Sequence, residues 1–325
     1  MQDIYGREID YLRVSITDRC NFRCSYCMPQ EGVRLIKHDQ ILSYEEMLRV
    51  IKVLGQYGVN KIRLTGGEPL TRKGIVEFIR CIKKIRTVKD LAITTNGSLL
   101  APMASELKSA GLDRVNISID TLNPDRFAAI TGTGKLADTL SGVKQAVEAG
   151  LAPVKLNVVS TEALTRDDVT LFLNEVFAKP LIVRFIEYMP IGGSNVKSGL
   201  TIENIKAIIN TSGYGALEPA TVEKGNGPAR YYRLPGMRGV FGFITPMSQH
   251  FCHSCSRIRL TADGRIKPCL LGNCEINIKE ALRNGSSDQI IKDLFVKALE
   301  LKPQAHKVGT SGQSMITREM FQVGG

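Results

Sequence analysis

The sequence lacks several features that mark large classes of proteins. It has no apolar run near the ~18 residues that a membrane-spanning helix needs. Its first ten residues, MQDIYGREID, lack the apolar core of a secretory signal. It has no tryptophan and no run of five basic residues, and only 6% of its residues are aromatic. We therefore expect a cytoplasmic protein with no membrane partner and no nucleic-acid partner, because single-stranded nucleic acid is usually bound by stacking on aromatic side chains.

What the chain does have is positive charge and length. Its formal net charge is +11 over 325 residues, which is enough for one large α/β barrel or two ordinary domains. An excess of positive charge of this size favours a polyanionic ligand such as a phosphorylated small molecule. The alternative is a solvated basic surface that serves only solubility.

Eight cysteines are distributed very unevenly along the chain. Disulfides are rare in cytosolic proteins, so the clustered cysteines indicate metal or iron–sulfur ligands. Cys81 stands alone in the helical pattern EFIRCIKKIR, where we predict a small buried hydrophobic side chain. The two groups lie at residues 20, 24 and 27 and at residues 252, 255, 269 and 274.

Strand-like and helix-like segments alternate up to about residue 190, which predicts parallel βα units and hence an α/β fold. Polar residues alternate along several strands, which predicts a partly open barrel with a functional interior. We place a boundary near residue 195, giving regions 1–195 and 196–325. The predicted helices include 43–58, with Ser43 and Glu46 as a capping box, 102–111 and 201–213. The predicted strands are 11–17, 61–66, 91–96, 114–120, 154–160 and 181–187.

The first cysteine group has the spacing C-x3-C-x2-C and directly follows the first predicted strand. Three thiolates can hold one iron–sulfur cube and leave one iron open to a small molecule. The alternative is zinc with a distant fourth ligand. TGGEP, residues 65–69, follows the next strand; its glycines allow close backbone approach and Glu68 could receive an ammonium group.

These two motifs together resemble the signature of the radical S-adenosylmethionine (SAM) superfamily. The resemblance implies a partial (β/α)6 barrel of the TIM type over residues 10–190. It implies a [4Fe–4S] cluster on Cys20, Cys24 and Cys27, whose fourth iron binds the amino and carboxylate groups of SAM. Reduction of that cluster cleaves SAM to a 5′-deoxyadenosyl radical, which takes hydrogen from a substrate.

The second cysteine group reads C-x2-C-x13-C-x4-C. Its spacing alone leaves zinc and an iron–sulfur cluster equally open. Arg257 and Arg259 follow Cys255 and, two residues apart on a strand, should face the same side, as a phosphate site requires. Ordinary surface arginines are the alternative. Cys274 is either a fourth ligand or a free thiol, and we favour the free thiol because a closed cluster could not hold substrate.

Within the superfamily, the chain resembles the GTP-cyclising enzymes of molybdenum cofactor biosynthesis over essentially its whole length. The matching segments include LRVSITDRCNFRCSYCMP, TTNG, NISIDTL, FIEYMP and CSRIRL. The resemblance implies that GTP becomes 3′,8-cyclo-7,8-dihydro-GTP and that Cys252, Cys255 and Cys269 bind a second [4Fe–4S] cluster in the C-terminal region. It also implies a double-glycine tail, Gly324-Gly325, that enters the active site.

The same resemblance assigns roles to individual residues. Arg184 would contact the triphosphate or tune the radical, although Arg184 and Lys155 could instead be paired structurally. Thr94 and Ser118 could be ordinary polar strand residues. The SAM contacts would be Tyr26, Gly67, Ser118 and Met189. The GTP contacts would be Arg13, Arg63, Thr94, Lys155, Arg257, Ile258 and Arg259.

The implied partners are GTP, a one-electron reductant of the flavodoxin or ferredoxin type, and the downstream cyclic pyranopterin monophosphate synthase. A homodimer is left open. Two rivals remain: another radical SAM enzyme with an auxiliary cluster, such as a peptide-modifying one, and a zinc- or cluster-bearing protein that binds nucleic acid. A protein that binds nucleic acid would explain the positive net charge but not the GGEP motif.

Overall fold

A computed structural model describes residues 1–28, 33–192, 195–222, 227–308 and 316–324. Within these ranges, no helix has both the length and the apolar character needed to cross a membrane. The strands are β1 (Tyr11–Ser15), β2 (Lys61–Thr65), β3 (Asp90–Thr95), β4 (Arg114–Ser118), β5 (Lys155–Ser160), β6 (Ile182–Glu187), β7 (Glu218–Pro219), β8 (Arg230–Arg233), β9 (Val240–Ile244), β10 (Arg257–Leu260), β11 (Arg265–Lys267) and β12 (Ile276–Asn277). The α-helices are α1 (Tyr44–Gly55), α2 (Ile75–Lys83), α3 (Ala104–Ser109), α4 (Pro124–Thr131), α5 (Leu136–Glu148), α6 (Arg166–Ala178), α7 (Ile202–Asn210), α8 (Lys279–Arg283), α9 (Asp288–Glu300) and α10 (Met320–Val323).

All these strands belong to one sheet, and its centre is the predicted parallel unit. Strands β1 to β6 lie side by side in chain order, each parallel to the next. The full order is linear, from β12 at one end to β7 at the other, so strand pairing in the described residues does not close a barrel. The fold prediction, an α/β structure with an incomplete barrel, is confirmed.

The C-terminal part of the chain extends this sheet on both sides. Strand β10 pairs in parallel with β1, and strand β9 pairs in parallel with β6. Short antiparallel strands continue each edge beyond them. The segment that carries the second cysteine group therefore enters the sheet directly beside the strand that leads to the first group.

Each of the three predicted helices forms, but each is shorter than predicted. Helix α1 starts with the predicted capping box, in which the Ser43 hydroxyl accepts from the Glu46 amide and the Glu46 carboxylate accepts from the Ser43 amide. It ends at Gly55, and Gly58 follows with a φ of +99°, a left-handed conformation that favours glycine. The segments predicted as 102–111 and 201–213 form α3 and α7 over shorter spans.

Cys81 lies on α2 but is half-buried, and the prediction of a buried side chain was wrong. The buried stripe of this helix consists of Ile75, Phe78, Ile79 and Ile82. Cys81 falls beside that stripe, and its Sγ lies 3.6 Å from an oxygen of the Glu77 carboxylate. An amphipathic pattern places the middle of a stripe well, but it places the positions at the margin poorly.

The register of the central strands brings basic side chains together on the inner face. Arg13 on β1 is paired with Arg63 on β2 and with Arg259 on β10. The alternate residues of β1, Leu12 and Val14, lie in the hydrophobic core on the other face. This period of two is what a strand imposes, and it gives the sheet one apolar face against the helices and one polar face inside.

Candidate active site

The first cysteine loop lies at the C-terminal end of β1, where ligands bind in folds of this kind. Cys20, Cys24 and Cys27 are half-buried free thiols. A turn holds the last two in place, because the amides of Cys27 and Met28 both donate to the carbonyl oxygen of Cys24, at 2.9 and 3.0 Å. The amide of Phe22 donates to the Cys20 sulfur at 3.3 Å.

The environment of these thiols suits an iron–sulfur cluster better than a single ion. Burial raises the pKa of Cys20 to about 11 and that of Cys27 to about 12, and burial with the neighbouring Cys27 raises the pKa of Cys24 well above its ordinary value. Thiolates here therefore need a bound cation. Among the described residues, the one group of three with ligand atoms all within 4.8 Å of one another is His250, Cys252 and His306, so neither cysteine trio is gathered around one ion. A cube does not require such gathering, because each of its cysteines binds a different iron.

The GGEP loop packs tightly against the first cysteine loop. The Gly67 amide donates to the Thr17 carbonyl oxygen at 2.8 Å, and the Glu68 amide donates to that of Arg19 at 2.8 Å. A Cβ at Gly67 would collide with the Arg19 carbonyl, and one at Gly66, whose φ is +148°, would collide with that of Thr17. Both glycines are therefore required for contact between the two loops.

We expect Gly67→Ala to destabilise the apoprotein by about 1–3 kcal/mol, the usual cost of overpacking, and to lower iron incorporation at the first loop. Denaturant unfolding of the apoprotein and iron analysis after reconstitution measure the two effects. Gly272→Ala is the control, because a Cβ there would make an ordinary 3.6 Å contact with the Cβ of Cys269. Equal stability of the two variants would contradict the close-packing argument.

Glu68, which follows β2, forms hydrogen bonds with the end of β3 inside the protein. Its buried carboxylate accepts from the Thr95 hydroxyl at 2.7 Å and from the amides of Asn96 and Leu70 at 2.7 and 3.0 Å. Burial raises the pKa of Glu68 to about 7 despite these bonds. One of its roughly four acceptor positions is left for an ammonium group of a ligand.

Tyr26 and Ser118, two of the predicted SAM contacts, line a small pocket that Cys24 also lines. The Tyr26 hydroxyl donates to the Asp120 carboxylate at 2.7 Å, and the Val159 amide donates to the other oxygen at 2.8 Å. Burial raises the pKa of Asp120 to about 6. The other two predicted contacts lie elsewhere: Gly67 is in the GGEP loop, and Met189 lines the larger cavity described next.

A larger cavity opens on the inner face of the sheet, and its described lining includes no carboxylate. Six strands contribute polar or charged groups to it, together with the second cysteine trio. Six cationic side chains line it: Arg13, Arg63, Arg184, Arg257, Arg259 and Lys302. Since none of the five arginines has an ion pair with a described carboxylate, the cavity is built for a polyanion.

Several polar atoms in this cavity are buried without a hydrogen-bond partner. They are the hydroxyls of Tyr11 and Thr94 and the Nε atoms of Arg13 and Arg63. Burial would raise the pKa of Tyr11, but the charges of Arg63 and Arg13 outweigh it and lower that pKa. Buried polar groups are normally satisfied, so these atoms indicate a polar, negatively charged ligand.

Arg184 is held by neutral partners. Its Nε donates to the Asn157 side-chain oxygen at 2.9 Å and its Nη2 to that of Asn116 at 2.8 Å, so its charge is oriented without being neutralised. Lys155 is buried beside it, with Nζ 3.5 Å from the Tyr231 hydroxyl, and does not line the cavity. Burial and the charge of Arg184 lower the pKa of Lys155 to about 6.

The second cysteine trio forms the far wall of the same cavity. Cys252, Cys255 and Cys269 all line it, whereas Cys274 is exposed and lies outside the lining, as a free thiol would. Arg257 and Arg259 face the cavity as their spacing predicts. The Ile258 side chain between them points into the hydrophobic core, so it is not among the lining groups.

The C-terminal tail connects the two cysteine groups. The Phe321 amide lies close to the Cys27 sulfur, where it favours the thiolate, and Met320 lines the basic cavity. The Arg259 guanidinium donates to the Gly324 carbonyl oxygen, and a Cβ at Gly324 would collide with the Thr65 hydroxyl. Gly324 thus lies in the site, as the family resemblance implied, while Gly325 lies outside the described residues.

Sequence reasoning missed several lining residues. Tyr11 could have been found, because it precedes Arg13 by two positions on β1 and therefore shares its face. Asn157 on β5 carries the same strand signal. Lys302 and His306 gave no local signal, because they follow α9 in an ordinary-looking segment, and the fold alone brings them to the cavity.

The fold and the two cysteine sites define this protein as a radical SAM enzyme. The profile of the radical SAM superfamily matches residues 14–176, and that named Molybdenum Cofactor Synthesis C matches residues 181–308. The chain is 46% identical to the GTP 3′,8-cyclase of Heliobacterium modesticaldum and 47% identical to that of Pelotomaculum thermopropionicum, in each case over 100% of both chains. It belongs to the GTP 3′,8-cyclase family.

Solved structures agree with this fold at much lower identity. SuiB of Streptococcus suis bound to its precursor peptide SuiA superposes with a TM-score of 0.65 and 13% identity, over 94% of this chain and 69% of SuiB. The enzyme anSMEcpe with bound AdoMet gives a TM-score of 0.60 and 15% identity, over 90% of this chain and 81% of that one. At these identities the likeness concerns the fold alone.

Proposed function

We propose that this protein converts GTP to (8S)-3′,8-cyclo-7,8-dihydroguanosine 5′-triphosphate, the first step of molybdenum cofactor biosynthesis. The observation that carries the proposal is the basic cavity, which joins six cationic side chains to a cysteine trio and has no carboxylate in its described lining. A nucleoside triphosphate is the ligand that such a cavity suits. The full-length identity to named GTP 3′,8-cyclases supports the same substrate.

The arginines would act by binding and orientation. Arg13, Arg63 and Arg259 lie in register on adjacent strands, so their guanidinium groups could bind neighbouring phosphate oxygens. Arg184, oriented by two asparagines, would add charge without an internal partner. Thr94 and Tyr11 would donate or accept hydrogen bonds, and the apolar lining would keep water from the reacting carbons.

The first trio, Cys20, Cys24 and Cys27, would hold a [4Fe–4S] cluster. When bound, that cluster supplies the electron for reductive cleavage of SAM to a 5′-deoxyadenosyl radical. SAM itself would be held by Tyr26, Gly67, Ser118 and Met189, with Glu68 offering one acceptor to its ammonium group. The Tyr26–Asp120 hydrogen bond would fix the aromatic ring beside the cysteine loop.

Cys252, Cys255 and Cys269 would hold a second [4Fe–4S] cluster whose open iron faces GTP. Residues 1–195 would form the radical SAM barrel, and residues 196–325 the region with the second cluster and the tail. We further propose a cytoplasmic location, a flavodoxin- or ferredoxin-type reductant, and a cyclic pyranopterin monophosphate synthase as the next enzyme. A homodimer would be compatible with this role.

Anaerobic reconstitution followed by incubation with GTP, SAM and dithionite tests the proposal. We expect about eight irons per chain, from two four-iron clusters. We also expect 5′-deoxyadenosine that forms only with GTP, together with a product isobaric with GTP. SAM cleavage that proceeds equally without GTP would indicate another radical SAM enzyme, such as a peptide-modifying one. Zinc in place of iron would contradict the whole proposal.

A further inference from the structure

Lys302 is a buried lysine of the basic cavity to which the proposed function gives no individual role. It follows α9 and lines the basic cavity, yet only 3% of it is exposed. Its Nζ donates to the carbonyl oxygens of Arg257 and Pro268, each at 2.8 Å, and lies 3.7 Å from the Cys255 sulfur. An ammonium group has three N–H donors. Two of them are anchored on backbone, which directs the third at the sulfur.

The backbone around this lysine is itself firmly held. The two carbonyl groups that accept from Nζ belong to Arg257, two residues after Cys255, and to Pro268, the residue before Cys269. Lys302 therefore connects the two chain segments that carry the second trio. Arg7 does the same for Cys252, since its guanidinium donates to the Cys252 carbonyl oxygen at 2.8 Å and to those of Pro303 and Gln304 at 2.8 and 3.0 Å. The trio therefore sits in a scaffold built by two buried cations.

Electrostatics separate the two cysteine trios. Cys255 of the second trio has two cationic neighbours, the Lys302 ammonium group at 3.7 Å and the Arg257 guanidinium group. The first trio has mainly acidic surroundings, with Glu68 and Arg23 near Cys20, Asp120 near Cys24 and Cys27, and Glu319 near Cys27. The second trio thus lies beside cations, whereas the first lies mainly among carboxylates.

We propose that Lys302 is a positioning residue for the second cluster, and that its ammonium group raises the reduction potential of that cluster above the potential of the first. The inference rests on the proposed function, in which the second trio binds a [4Fe–4S] cluster. Reduction adds one negative charge to a cluster. A buried cation and a hydrogen bond to a ligand sulfur both stabilise that charge, and hydrogen bonds, charge and exposure are what set cluster potentials.

The difference in reduction potential would suit the two clusters to different roles. The first cluster, among carboxylates, would be the stronger reductant, as cleavage of SAM requires. The second cluster, held by Lys302, would accept an electron more readily and would serve to bind GTP through its open iron. The same chain would thereby keep two clusters of one type at different potentials through their neighbours alone.

Lys302→Met and Lys302→Arg in the reconstituted full chain test this role. Methionine fills similar space without charge or donor, whereas arginine retains both. The measurement is a redox titration that follows the spectroscopic signal of each cluster. We expect Lys302→Met to shift the potential of the second cluster to a more negative value and to leave that of the first unchanged. Lys302→Arg should recover most of the shift.

Lys61→Met is the control, because Lys61 pairs with Asp10 at the start of β2, the end of the strand away from the GGEP loop. An unchanged second potential in Lys302→Met would overturn the proposal, even if GTP binding weakened. Should Lys302→Met fail to hold the second cluster, Lys302→Arg decides: retention of that cluster supports the role, and its loss overturns it. Wild-type protein with about four irons would instead contradict the proposed function itself.

Discussion

Replacing Cys24 with alanine is expected to abolish SAM cleavage and to reduce the iron content from about eight to about four atoms per chain. Cys24 is the middle cysteine of the trio in sequence, and both other cysteines lie close enough to raise its pKa. With three ligands for four irons, the site has no spare thiolate to replace one that is lost. The yield of 5′-deoxyadenosine should fall to the level measured without enzyme.

The second cluster should survive this change, because its three cysteines lie on separate segments around β10. GTP binding should therefore persist in Cys24→Ala, and loss of activity with retained binding would separate the two sites. Cys81→Ala is the matched control: Cys81 is a half-exposed cysteine on α2 and belongs to neither trio. Normal SAM cleavage by Cys24→Ala, or its loss in Cys81→Ala, would contradict the assignment of the first trio.

The central unit of this fold could be predicted because its signals are local. A strand's period of two, a helix's capping box and a glycine after a helix end are all properties of short segments. The predicted strands and helices lie within a few residues of the observed ones. The cysteine spacing and the GGEP motif are local as well. Parallel connections then place the ends of β1 and β2 side by side, so the first site follows from the sequence with few assumptions.

The rest of the site depends on pairings between distant segments. Nothing in the sequence near Arg257 states that β10 will pair with β1, yet that pairing sets Arg259 beside Arg13. Lys302 reaches the second trio for the same reason, through the packing of α9 against the edge strands. Sequence patterns report which face of an element is buried, but they do not report which element covers it.

The tail shows how these distant pairings link the two halves of the site. Arg318 forms ion pairs with Asp263 at 2.9 Å and with Glu275 at 2.6 Å, both in the region of the second trio. A few residues later, the tail touches Cys27 of the first trio and Arg259 of the basic cavity. The segment is thus anchored near one cysteine group and ends at the other. A ligand that binds Arg259 would compete with the Gly324 carbonyl oxygen.

Arg63→Met is expected to weaken GTP binding and, at the same time, to stabilise the apoprotein. Arg63 is 5% exposed, its Nε has no hydrogen-bond partner, and Arg13 lies next to it on β1. Burial lowers the pKa of Arg63 to about 10. Its folded-state pKa is below its unfolded value, so at neutral pH, below both values, the charged side chain costs stability in the absence of ligand. A methionine of similar length removes that cost.

We expect the free energy of unfolding of the apoprotein to rise by about 1–4 kcal/mol, the range found when buried ion pairs are replaced by apolar side chains of similar volume. Loss of a buried charged contact to ligand costs about 2–5 kcal/mol, so GTP affinity should fall by about 30-fold or more. Denaturant unfolding and anaerobic calorimetry with GTP measure the two effects. Arg166→Met, at an exposed position on α6, should change neither. A decrease in both the free energy of unfolding and the GTP affinity would identify Arg63 as a structural residue. An unpaired buried charge that binds an anionic substrate should instead change these two quantities in opposite directions.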